Sequence, residues 1–220
     1  MNTTARVLVI VLILPALMMA SGQASQESRD VQRATAPSDA IFLDSLDVSR
    51  TVQDEGTTVA GASADKNPIT LLGARYPHGV GMHANAELAI QLNAAAKSFV
   101  SMVGVDDETH RRGSVAFEVW TDGRRAAATG KMKGGDDPRF ITVDLTGAKT
   151  MTLVATDAGD GNSWDHADWA GAIIFLQPGS GFHPATFVRT EESAPAIQPD
   201  RSPRPSINGP RITGATPGRP

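Results

Sequence analysis

Apolar and polar positions alternate through most of the middle of this 220-residue chain. In ELAIQL (87–92) Leu88, Ile90 and Leu92 fall on one face, and in SFVSMVGV (98–105) Phe99, Ser101, Val103 and Val105 do the same. Val115, Phe117 and Val119 share a side of SVAFEVW, Ile141, Val143 and Leu145 of FITVDL, and Met151, Leu153 and Ala155 of TMTLVAT. A period of two marks strands buried on one face, and the unbroken apolar run Ala172–Leu176 predicts a strand buried on both. Turn chemistry separates the runs: Asp122-Gly123 suits a hairpin, and Thr146-Gly147 and GGDDP (134–138) suit loops. No helical stripe interrupts them. Many short strands without intervening helices predict an all-β fold, an antiparallel β-sandwich of jelly-roll type.

The two ends have a different character. Arg6 precedes an apolar run from Val7 to Ala20, and Gly22-Gln23-Ala24 supplies small residues for cleavage. Residues 1–24 therefore predict a signal peptide and a secreted protein, extracellular or periplasmic; the alternative is an uncleaved membrane anchor. No cysteine follows, which excludes a lipoprotein anchor and any disulfide, so stability must come from the core, helped by a metal ion if one is bound. Residues 25–40 are polar and read as a linker, 41–176 as the folded domain, and 177–220, with nine of the fourteen prolines, as an extended linker. That linker leads to no further periodic segment, so the sequence suggests a fragment whose downstream module is missing. A formal charge of −4 provides no basic field for nucleic acid and no polybasic patch for a membrane surface.

Chemistry concentrates in DAGDGNSWDHADWA (157–170), which gathers two of the three tryptophans beside His166 and a run of aspartates. Three readings fit such a stretch: a catalytic carboxylate pair, a metal loop, or a surface that grips a polar ligand. The motifs YPHGVGMHANAEL (76–88), FVSMVGVDDE (99–108), GSVAFEVWTDGR (113–124), TVDLTGAKTMTLVATDAGDG (142–161) and DHADWAGA (165–172), in this order, resemble the NPCBM family, also classed as carbohydrate-binding module family 51. The resemblance spans roughly Ile41 to Leu176. It implies a galactose-binding-like jelly roll attached to a glycoside hydrolase, a glycan ligand of galactose type, and often a structural calcium ion. The ending NGPRITGATPGRP also resembles the lead-in to the next module of some α-galactosidase-like enzymes.

Within that frame His83 can donate to a sugar hydroxyl and Asn85 can bridge a vicinal diol, or His83 can serve as a buried loop staple. Gly79 and Gly81 read as backbone turn residues. Asp106 or Asp107 can bind hydroxyls through charge-assisted hydrogen bonds, or form a solvated acidic turn neutralised by Arg111 and Arg112, which are themselves ligand candidates. Trp164, in a glycine-rich loop, suits stacking on a sugar, whereas Trp169 leads into a buried strand and is expected to pack with its N–H hydrogen-bonded. Trp120 faces away from Phe117 and Val119. Asp165, His166 and Asp168 form a polar cluster, part ligand-binding and part structural. Asp157, Asp160 and Asn162 alternate with glycines and are the calcium candidates, although the spacing departs from an EF-hand. The rival readings are a stand-alone glycosidase using a pair such as Asp107 and Asp165, and a spacer module without ligand. No Ser-His-Asp or HExxH arrangement supports a hydrolase, so a non-catalytic module bound to a glycan, with a glycosidase in cis, is the expectation.

Overall fold

The computed structural model describes residues 39–189, so the signal peptide and most of both linkers lie outside the described residues. Fourteen strands follow in order: β1 (Ala40–Phe42), β2 (Val52–Gln53), β3 (Val59–Ala60), β4 (Thr70–Leu71), β5 (Ala74–Arg75), β6 (Gly79–His83), β7 (Ala86–Gln91), β8 (Ala96–Val105), β9 (Ser114–Thr121), β10 (Arg124–Lys133), β11 (Arg139–Asp144), β12 (Thr150–Thr156), β13 (His166–Leu176) and β14 (Ala185–Phe187). The only helices among the described residues are single 3-10 turns at Leu43–Ser45, Val48–Arg50 and Asp107–Thr109. One antiparallel sheet runs β11-β8-β13-β6-β3, with β1 on β13; the other runs β10-β9-β12-β7-β14, with β2 on β7. Strands distant in sequence are therefore neighbours in space, the Greek-key habit of a jelly roll.

The alternating residues face one another between the sheets. Phe99, Val103, Ile141, Val143 and Trp169 from the first sheet meet Leu88, Ile90, Phe117, Val119, Met151 and Leu153 from the second in one buried cluster. The Asp122-Gly123 turn has φ of 47° and 77°, both left-handed, as the two-residue hairpin between β9 and β10 requires. The Asp122 carboxylate also accepts from the Lys149 and Thr150 backbone amides, which fixes the start of β12 beside the turn.

Four elements depart from the sequence reading. The 172–176 run alternates after all, with Ala172, Ile174 and Leu176 buried and Ile173 and Phe175 half-buried, because a bulge after Ala170 re-aims the strand. Gly79–His83 forms a central strand despite its glycines. β10 is an edge strand whose only buried residue is Met132, so it has no apolar period to read. Beyond Leu176 the sandwich continues: β14 pairs with β7, Thr186 Oγ1 donates to the Asp47 carbonyl at 2.6 Å, and Arg189 pairs with Glu87 at 3.0 Å. The first part of the proline-rich segment thus belongs to the domain rather than to a linker.

The register places the end of β6, the end of β8 and the start of β13 together. His166 is opposite His83, and Ala167 is opposite Val105. The polar residues of three distant motifs meet there.

Candidate functional site

The acids after β8 are anchors for the segment between β3 and β5. Asp106 accepts from Glu108 N at 2.8 Å and from Thr70 N at 2.9 Å. Asp107 accepts from Leu72 N at 3.0 Å and Gly73 N at 2.7 Å, so its carboxylate staples a turn and does not face an open site. Glu108 accepts from Ser63 Oγ at 2.6 Å, Asn67 Nδ2 at 2.9 Å and Asp65 N at 3.3 Å, and lies 2.7 Å from His166 Nδ1. Burial opposes the Glu108 charge, but the hydrogen bonds from Ser63, Asn67, His166 and Asp65 outweigh it and hold the carboxyl below the ordinary glutamate range.

Around this anchor the rings converge. His166 and His83 meet edge to face at 5.3 Å, and Trp164 lies 6.4 Å from His166. The Arg112 guanidinium stands 3.5 Å over one face of the Trp164 indole, held there by donation from its Nε to the Thr109 carbonyl at 3.0 Å. Trp164 is 43% exposed. Because a carbonyl only accepts, His83 Nδ1 carries the proton it shares with the Ala84 carbonyl at 2.8 Å, and its Nε2 has no protein partner. His166 Nδ1 likewise faces the ionised Glu108, which leaves Nε2 free for another group.

Of the residues singled out from sequence, His83, Arg112, Trp164 and His166 come together. Asn85 does not join them with free groups: its Nδ2 donates to Asp54 at 3.0 Å and its Oδ1 accepts from Asp157 N at 2.9 Å. Asp165 is fully buried, accepting from Ser114 N at 2.7 Å through one oxygen while the other has no partner. It is a latch under the loop, with Gly113 so close that a Cβ there would stand 2.0 Å from the Trp164 carbonyl oxygen. Glu108, Asp65 and Asn67 were not among the sequence candidates. The third acid of VGVDDE and the polar run Asp65-Lys66-Asn67 were the available signals.

Among the other tryptophans, Trp169 is completely buried, yet its Nε1 has no hydrogen-bond partner, contrary to expectation. Trp120 lies on the outer face of the second sheet, donating to Glu118 at 2.8 Å, and takes no part in the cluster. In the loop expected to bind calcium, Asp157 accepts from Gly159 N, and Asp160 accepts from Ser114 Oγ and pairs with Lys131. The Lys131 ammonium already supplies the positive charge that a cation would bring to Asp160.

Burial raises the Asp165 carboxyl above the ordinary aspartate range, with Asp160 and Asp157 adding to the effect. The folded state then holds its proton at pH values where the unfolded chain has released it, so Asp165 weakens folding progressively as pH rises through that window. Asp165→Asn, which cannot ionise, should gain stability relative to the parent between about pH 4 and 7. Paired urea denaturations across that range measure the difference. A pH-independent difference would contradict the assignment.

The sequence profile of the NPCBM/NEW2 domain matches residues 39–174. A protein of Renibacterium salmoninarum named for endo-α-N-acetylgalactosaminidase activity is 35% identical over 113 residues, covering 50% of this chain and 7% of that protein. An α-1,3-galactosidase B of Akkermansia muciniphila is 26% identical over 163 residues, covering 72% of this chain and 20% of its own. The chain thus spans only a small part of these relatives. Among solved structures, the CBM51 of Clostridium perfringens GH95 in complex with methyl-galactose is 30% identical with a TM-score of 0.58, over 61% of this chain and 99% of that one. CBM51-2 of Clostridium perfringens ZmpB in complex with GlcNAc is 28% identical with a TM-score of 0.59, over 62% and 31%. With the profile covering most of the sandwich and both similar modules sharing its fold, the chain belongs to the NPCBM/NEW2 domain family.

Proposed function

We propose that the sandwich is a non-catalytic carbohydrate-binding module whose sugar site is formed by His83, Arg112, Trp164 and His166. The observation that carries this is one exposed indole with His166 at its side and His83 against His166, each imidazole held through Nδ1 so that Nε2 is left without a protein partner. A pyranose ring offers an apolar C–H face to the uncovered side of Trp164 and hydroxyls to the imidazoles and the guanidinium. Similar modules bound methyl-galactose in one case and GlcNAc in another, which supports a terminal galactose or N-acetylhexosamine as ligand. The relatives' names support a glycoside hydrolase in cis, held near its substrate by effective concentration, and the apolar leader supports secretion.

The glycosidase alternative finds no accessible carboxylate pair beside the rings. Asp107 is engaged by the Leu72 and Gly73 backbone amides, Asp165 is fully buried on the Ser114 amide, and Glu108 is kept ionised, the opposite of what a general acid needs.

Calorimetric titration with methyl-galactose and GlcNAc tests the site. Trp164→Ala should weaken binding by about 1–2 kcal/mol, roughly tenfold, with little change in melting temperature. Affinity unchanged in both Trp164→Ala and His83→Ala would place the sugar elsewhere.

A further inference from the structure

Trp120 stands apart from the ring cluster, yet its indole is held in one orientation. Nε1 donates to Glu118 Oε2 at 2.8 Å, and Glu118 Oε1 accepts from Arg125 Nη1 at 3.1 Å. The half-buried ring is thereby fixed on the outer face of the second sheet. A row of residues runs from it across the strands. Trp120 is opposite Thr152 of β12, Thr152 is opposite Ala89 of β7, and Ala89 is opposite Phe187 of β14. All four share the outer face, because Val119, Leu153, Leu88 and Ile90 beside them fill the core and directly opposite residues point the same way. Thr152 and Ala89 are only 6% and 2% exposed although they face outward, so the larger side chains around them, the two rings among them, close over them. Trp120 and Phe187 mark the ends of a flat strip, three interstrand spacings or about 14 Å apart at their backbones. Val154, between Glu118 and Glu87, lies along its side.

The charges beside this strip cancel in pairs. Glu118 pairs with Arg125, Glu87 with Arg189 at 3.0 Å, and Lys131 with Asp160. Acceptors remain, because Glu87 engages Arg189 through Oε1, and the Thr152 hydroxyl has no protein partner among the described residues.

Such a face complements an uncharged ligand that carries both apolar surfaces and many hydroxyls. Pyranose rings lay their C–H faces on aromatics and donate hydroxyls to carboxylates. Nucleic acid needs unpaired cations, which the strip lacks. A protein partner needs a denser apolar centre than two rings and Val154 set among threonines and paired charges. A sheet face has no walls to enclose a terminal sugar, and rings this far apart suit a ligand of several units. We propose that the outer face of the second sheet is a second carbohydrate surface, taking the interior of a neutral glycan chain laid across β9, β12, β7 and β14. It is separate from the Trp164 site, which on the reading above takes the end of a glycan.

Affinity electrophoresis of the full chain tests this, with galactan, xylan and hydroxyethyl cellulose as neutral chains and polygalacturonate as an acidic one. At least one neutral chain should retard the wild type, and polygalacturonate should not. Trp120→Ala should weaken binding to the retarding chain about tenfold, whereas Trp164→Ala should leave it unchanged. Should Trp120→Ala fail to fold, acrylamide quenching decides. Of the three tryptophans Trp169 is inaccessible, so in Trp164→Phe the quenchable emission belongs to Trp120, and the retarding chain should protect it. Retardation by no neutral chain, or equally by polygalacturonate, would overturn the proposal. Binding lost with Trp164→Ala but kept with Trp120→Ala would assign the chain to the other site and overturn it as well. So would a Trp120 that gains no protection, or one already shielded before glycan is added, since another segment or a second copy would then cover the face.

Discussion

Trp169→Ala should cost about 3–5 kcal/mol of folding stability, the range for emptying a large buried aromatic site. The indole is wholly inaccessible and joins the two sheets. It stands on β13 of the first sheet and meets Phe117 of the second edge-on at 5.2 Å and 89°, with Phe99 tilted against it at 6.1 Å. The hole left by alanine cannot close easily, because the strand is held on both sides, by Val103 of β8 and Val80 of β6. Since Nε1 has no partner, the substitution orphans no acceptor, and the loss is one of packing alone. Trp169→Phe should therefore recover most of it. Urea unfolding measures both, and a Trp169→Ala cost below about 1 kcal/mol would show that the sheets are not held together at this point.

Glu108→Ala should be the next most damaging change, at about 2–4 kcal/mol, and should abolish sugar binding as well. One side chain here satisfies Ser63 Oγ, Asn67 Nδ2, Asp65 N and His166 Nδ1, and only 9% of it is exposed. Removing it leaves several polar groups to find water in a crowded corner, and His166 loses the contact that aims its ring. Glu108→Gln keeps an oxygen for some of these donors but presents an amide to the others, so it should fall between the two. Denaturant unfolding gives the stability. Limited proteolysis should show new cleavage between Ala62 and Leu72, and an uncut segment would mean that Asp106 and Asp107 hold the loop without help.

The large features of the fold were legible because half-buried strands write their burial into the sequence. The alternating runs at Leu88–Leu92, Phe99–Val105, Val115–Val119, Ile141–Leu145 and Met151–Ala155 are the strands that line the core. The elements missed have no such period. β10 faces water along nearly its whole length, β6 is part glycine because a loop presses on it, and β14 is an edge strand inside a proline-rich stretch. The same physics divides the site. His83, Arg112, Trp164 and His166 were visible as residue types suited to sugars. That Asn85, Asp107 and Asp165 would turn to backbone amides depended on which loops pass within 3 Å of them, and no spacing records that. Glu108 was hidden for the converse reason, since its partners Ser63 and Asn67 lie more than forty residues earlier in the chain.

The two ends of the domain do not leave it in the same place. β1 begins opposite Phe175, far from the rings, whereas β14 runs back along β7 from Gln91 to Ala89, and Arg189 pairs with Glu87, two residues after Asn85. Any segment that follows Arg189 therefore sets out from the end of the sandwich where His83 and Trp164 are displayed. On the reading proposed above, a domain attached there by a short tether would share a hemisphere with the sugar site. One attached at the amino end would have to reach around the full length of the strands. The polarity of the last strand thus decides from which end of the sandwich a segment after Arg189 would set out.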